Sequence, residues 1–168
     1  MPNWCECDLS INSDEKKDFK ELKRFKAFAK TKDNVLDTEK FVPYPAKFKK
    51  QDKIAEAHHK KTPPDYSVKD GYNNGGYEWC LKNWGTKWGI CRPELEEEDF
   101  DYGELLYKFE SAWNPPIPVI IAMSKMFPTL TFEMRYFEMG CEFNGLLVCE
   151  AGKITKQEEG KYFGNRGG

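Results

Sequence analysis

Between Trp4 and Asn12 the chain alternates. Cys5, Cys7, Leu9 and Ile11 fall on one side and Trp4, Glu6, Asp8 and Ser10 on the other, the period of a half-buried strand. The period then changes to that of a helix. Asn12 followed by Glu15 has the spacing of a capping box, and Phe19, Leu22, Phe25, Phe28 and Ala29 form an apolar stripe that runs to about Lys30. Phe41 to Pro45 reads as extended, because residues before proline avoid the helical region. Residues 46–74 are the least regular part and are read as an exposed basic insertion. Lys47 to Lys61 could form a surface helix, Thr62-Pro63-Pro64 breaks it, and Asp70 to Gly76 has loop chemistry. The His58–His59 pair lies within this insertion and is expected to be solvated.

The second half repeats the scheme. Tyr77, Cys80, Leu81 and Trp84 share a helical face that Gly85 closes, and Trp88 to about Glu94 reads as a strand. The acidic run from Glu94 to Asp101 is expected to be a hairpin loop. Leu105, Tyr107, Phe109 and Trp113 alternate with Lys108 and Glu110 in a further strand. Asn114 to Pro118 opens a helix whose apolar side is Ile117, Ile120, Ile121, Met123 and Phe127, and Pro128 ends it. A strand follows over Leu130 to Glu138, with Leu130, Phe132, Met134 and Tyr136 inward and Glu133, Arg135 and Phe137 outward; a last one runs from Gly145 to Glu150. From Gly152 the chain is polar and is expected to be a disordered tail. The order is βαββαβ plus one strand. That is the ferredoxin-like α+β plan, a mainly antiparallel sheet with two helices on one face, in a single domain over residues 1–150 with a tail at 151–168.

Composition narrows the functional classes. The formal net charge is −2, which leaves no overall footprint for nucleic acid. Residues 1–61 hold 15 Lys and Arg against 11 Asp and Glu, and residues 62–168 hold 11 against 17. The basic front half is read first as a lysine-rich solvated helix. The 6 cysteines form no C-x-x-C pair, no apolar run reaches membrane-span length, and the opening Met-Pro-Asn-Trp-Cys-Glu does not read as a signal peptide. Reduced, buried cysteines in a cytoplasmic protein are expected, with no cofactor; zinc is the alternative.

Three of the 5 tryptophans fall in Tyr77 to Gly89, reading YEWCLKNWGTKWG. The plain reading is a corner that seals one end of the core. The sharper one is an aromatic pocket with Asn83 and Lys87 at its lip. Candidate ligand- or partner-binding residues are Asn83, Trp84, Thr86, Lys87, Trp88, Trp113 and Tyr136. Catalysis would need a nucleophile held by a base, and both histidines are remote in sequence from every cysteine. Glu6, Asp8 and Glu133 could form a carboxylate pair, but cross-strand pairing with Lys108 and Arg135 is the ordinary use.

MPNWCE, FVPYP, YEWCLKNWGTKW, FESAWNPPIPVI, SKMFPTLTFEMRYFE and GCEFNG resemble the YubB-type ferredoxin-like domain family of bacteriophages, conjugative plasmids and related mobile elements, in order over most of residues 1–150. The resemblance implies the same fold and a domain of unknown function. Three uses are weighed. The first is a non-catalytic module that binds a host protein, for example to counter a host defence system. The second is a small-ligand protein that sequesters a nucleotide, with indoles for stacking and Lys87 for phosphate. The third is nucleic-acid binding along the basic first helix; the open sheet face is expected to hold four acids, Glu6, Asp8, Glu110 and Glu133, against Lys108 and Arg135, which repels phosphate. No membrane partner is expected.

Overall fold

The computed structural model describes residues 2–14 and 19–161. Six antiparallel strands form one sheet in the order β2-β3-β1-β4-β5-β6. The strands are β1 (Trp4–Ser13), β2 (Cys91–Asp99), β3 (Glu104–Ala112), β4 (Leu130–Glu138), β5 (Phe143–Glu150) and β6 (Lys153–Lys161). The first four, read from the centre outward, keep the ferredoxin-like order, and β5 and β6 extend the sheet beyond β4. Four α-helices accompany them: α1 (Lys20–Ala29), α2 (Ala46–His59), α3 (Gly76–Trp84) and α4 (Ile117–Met126).

The alternation in β1 does what its period requires. Cys5, Cys7, Leu9 and Ile11 are buried beside Leu105, Tyr107 and Phe109 of β3 and Leu130, Phe132, Met134 and Tyr136 of β4. Helices α1 and α4 cover this inner face. Phe25 of α1 is the hub: its ring lies 5.1 Å from Phe127, 5.5 Å from Phe132 and 5.6 Å from Phe41 between centroids. Edge-to-face and offset contacts of this kind add to the apolar burial that holds helix to sheet. On the open face Glu6 lies opposite Glu110, and Asp8 lies between Lys108 and Arg135. The cations there are engaged by carboxylates: Arg92 with Glu110, Lys108 with Glu96, Arg135 with Glu133.

Several sequence-based expectations are corrected. Asn12 lies inside β1, so it does not start the first helix; Phe19 does, in the left-handed region at φ 42°. Glu15, Lys16 and Lys17 lie outside the described residues, as does the tail beyond Lys161. The acidic run is not a loop but most of β2 itself, an edge strand half-buried on one face through Cys91, Pro93 and Leu95, whereas the turn to β3 falls after Asp99. Strand β2 starts at Cys91, three residues after Trp88. Trp113 lies just past β3 with φ 71°, 43% exposed, rather than in the inward row. The expected disordered tail over 151–161 is strand β6, paired along its length with β5. The 46–74 insertion is half helix: α2 takes its first part, and Phe48 and Ala55 are buried.

Candidate functional site

The aromatic corner is built on two glycines and a helix. Gly75 at φ 98° precedes α3 and Gly85 at φ 76° terminates it, a conformation that side chains with a Cβ resist. Between them Cys80 and Trp84 point inward, while Tyr77 and Leu81 of the expected apolar face stay partly exposed. Tyr44 from the extended segment packs on Phe48, Trp79 and Trp84, with centroids 5.5–5.6 Å apart. Helix α2 then comes alongside, tied down by Asp52, whose Oδ1 accepts the backbone N–H groups of Gly71 at 2.7 Å and Tyr72 at 3.1 Å.

These pieces enclose a cleft of about 440 Å³, within the range of small-ligand sites. Its aromatic walls are Tyr44, Tyr72, Trp84 and Trp88. Asp52, Ala55, Glu56 and His59 of α2 form one side, and Asp70, Cys80 and Lys87 complete it. Burial first, and then the Asp52 carboxylate, push the Tyr44 phenol up to about 12. Burial likewise carries Tyr72 to about 12 and Cys80 to about 11. All three stay protonated near neutral pH. Among the described residues the buried Tyr44 hydroxyl has no hydrogen-bond partner, and that of Tyr72 falls short of a formed bond with the Trp88 indole that faces it.

The candidate residues read from the sequence divide accordingly. Trp84, Lys87 and Trp88 line the cleft. Trp84 is 7% exposed and its Nε1 donates to the Val42 carbonyl at 2.8 Å, so it is a wall rather than a lip. Trp88 is 42% exposed; the Lys87 ammonium sits 4.3 Å from its ring centroid and Trp4 packs 6.0 Å away. Asn83 instead donates to the Trp79 carbonyl within α3. Thr86 is buried and ties the loop to β3 through the Ala112 carbonyl at 2.7 Å. Trp113 and Tyr136 do not line the cleft. Tyr136 is wholly buried in the sheet core, its hydroxyl 3.4 Å from Glu159.

A surface helix over Lys47 to Lys61 is allowed by the sequence, and α2 lies there, but the face it gives the cleft is not foreseen. Asp52, Ala55, Glu56 and His59 stand at i, i+3, i+4 and i+7, a helical face legible in principle. The histidines are not merely solvated. His58 bonds Asp65 through Nδ1 at 2.8 Å, and the Ser67 hydroxyl donates to that same carboxylate at 2.6 Å. Ser67 and His58 together hold Asp65 well below the usual carboxylate range. His59 packs at a tilt of 40° against Tyr66 with centroids 4.9 Å apart. His59 and Cys80 share the cleft, yet no hydrogen bond joins them. Among the described residues no three His, Cys, Asp or Glu side chains converge as a metal cage, and no helix is long and apolar enough to cross a membrane.

No curated protein matches the chain by sequence. The crystal structure of a protein, Api92, from Yersinia pseudotuberculosis superposes with a TM-score of 0.53 at 12% identity, over 98% of this chain and 99% of that one, a likeness of fold alone. These findings support the ferredoxin-like part of the resemblance described above; its YubB-type and phage part rests on the quoted motifs. Residues 92–163 match the family model described as the ferredoxin-like domain in Api92-like protein, a span that takes in β3 to β6, α4 and nearly all of β2.

Proposed function

We propose that the chain is a non-enzymatic binding protein of a phage or other mobile element, and that its working surface is the cleft between α2, α3 and the Lys87–Trp88 loop. The single observation that carries this reading is the cleft itself: four aromatic walls, polar groups around them, and a partly exposed indole at the mouth. Exposed indoles beside a cavity are the groups on which binding energy concentrates. The chemistry of the cleft favours holding over reacting. Its one thiol, Cys80, keeps its proton, and its imidazole, His59, packs against the Tyr66 ring instead of bonding to that thiol. A bacterial host protein is the proposed partner, with interference in a host defence system as one concrete role and the bacterial cytoplasm as its place.

The second reading is a small-nucleotide binder, favoured by Lys87 standing among the rings. Nucleic-acid binding along α1 is the weakest, because Arg24 and Lys26 are paired with Glu21 and Glu98, and Lys23 lies over the Phe100 ring. Capture from bacterial lysate, with mass spectrometry of proteins and of small molecules released on heating, tests all three. A protein retained by the wild type and lost from Trp88→Ala supports the first reading. A nucleotide released on heating supports the second. Retention that collapses steeply with salt supports the third. Identical retention by wild type and Trp88→Ala overturns the assignment of the cleft.

A further inference from the structure

We propose that the cleft receives a guanidinium group, the side chain of an arginine presented by the partner protein. This rests on the binding-protein reading above and names the chemistry of the occupant. The charges that line the cavity are three carboxylates, Asp52, Glu56 and Asp70, and one ammonium, Lys87. Glu56 is ion-paired with Lys60 of its own helix. Asp70 is turned to Asn73, and Asp52 is fixed by two backbone N–H groups. With Glu56 matched by Lys60, Asp52 and Asp70 outweigh Lys87 and leave the lining net acidic. A phosphate entering here meets those two carboxylates against one ammonium, whereas a cation is complemented.

The walls say which cation. Flat rings from Tyr44, Tyr72 and Trp84 suit a planar guanidinium, which stacks as well as hydrogen-bonds and sheds its water more readily than an ammonium does. One cation is already resident: the Lys87 ammonium, 4.3 Å from the Trp88 ring centroid. It marks the indole as a cation platform, and it competes with any positive group that arrives.

That competition yields a test in which two readings have opposite signs. The ¹⁵N-labelled full chain is titrated with N-acetyl-L-arginine amide, with its uncharged isostere N-acetyl-L-citrulline amide, and with AMP. The readout is the Trp88 indole N–H resonance, and the backbone N–H resonances of β1 and β4, which do not line the cleft, serve as the internal reference for an intact fold. The expected result is a saturable shift of Trp88 with the arginine amide at a Kd on the order of millimolar, at least about tenfold weaker with the citrulline amide. Lys87→Gln tightens the arginine amide several-fold, and Asp70→Asn weakens it. Equal binding of the arginine and citrulline amides, no binding of either, or AMP that binds more tightly and weakens in Lys87→Gln overturns the proposal. So does free L-arginine binding tenfold more tightly than its blocked amide, since that assigns the cleft to a small molecule. If the arginine amide fails while a protein is still captured through Trp88, the binding-protein reading stands and only the guanidinium falls.

Discussion

Trp84 and Trp88 lie one helical turn apart in sequence and serve opposite ends. Trp84 belongs to the core and its N–H is spoken for. Truncating it removes a large buried ring and leaves the Val42 carbonyl without its donor, so Trp84→Ala should cost about 3–5 kcal/mol in urea denaturation. Trp88→Ala, at a partly exposed position, should cost within about 1 kcal/mol and is the variant that isolates binding from folding. The sequence could not separate the two, because both are tryptophans in the same short stretch; what divides them is Val42, distant in the chain. Gly145 is a second residue with a decisive neighbour. A Cβ there would lie 2.1 Å from the Tyr136 ring, which crosses over the glycine toward Glu159. Gly145→Ala should therefore destabilise by about 1–3 kcal/mol, read as a lower unfolding midpoint. Tyr136→Phe, which keeps the ring and loses one long hydrogen bond, should cost less than half as much.

Elements with one wet and one dry face were legible, and those without were not. Strands β1, β3 and β4 announce themselves because Cys7, Tyr107 and Phe132 must be buried while their chain neighbours need not be. Strand β6, KITKQEEGK, is exposed at every position and has no apolar period to read; pairing with β5 alone makes it a strand. In β2 the alternation stops after Leu95: Glu96, Glu97 and Glu98 are all exposed, and this acidic half has no apolar period to read either. It is anchored by its ladder to β3 and by the Lys26–Glu98 ion pair, neither of which is a property of the segment itself. Helix α2 has only Phe48 and Ala55 buried, so its contribution to the cleft was hidden behind its lysines. A chain ending at Gly152 tests the weight of β6. Its removal exposes the backbone edge of β5, together with Leu146 and Val148 on the open face, so the shortened protein should unfold at lower urea and self-associate in sedimentation runs.

At the level of the molecule, Lys26 with Glu98 joins the basic front half to the acidic back half, but other pairs such as Lys49 with Glu39 and Lys108 with Glu96 stay within one half. The charge imbalance along the chain is thus carried mainly at the surface. Burial of polar rings is the other global property with a measurable consequence. An unfolded tyrosine loses its proton near about pH 10, whereas Tyr44, Tyr72 and Tyr136 are each pushed up to about 12, mainly by burial. The folded state keeps protons that the unfolded chain has already released. Their stabilisation is therefore complete below about pH 10 and is lost as pH rises through about 12. Unfolding free energy should be level from neutral pH to about 10 and then fall, with phenolate absorbance appearing together with loss of helix in circular dichroism.

The place of β1 at the middle of the sheet has a consequence for synthesis. Cys7 meets Phe109 on one side and Tyr136 on the other, partners that lie far downstream. With roughly 5–20 residues added per second on a ribosome, the first strand is complete for several seconds before either neighbour exists. Throughout that interval its oily side has nothing to lean on, and the nascent chain must be kept from others like it until its own last third emerges.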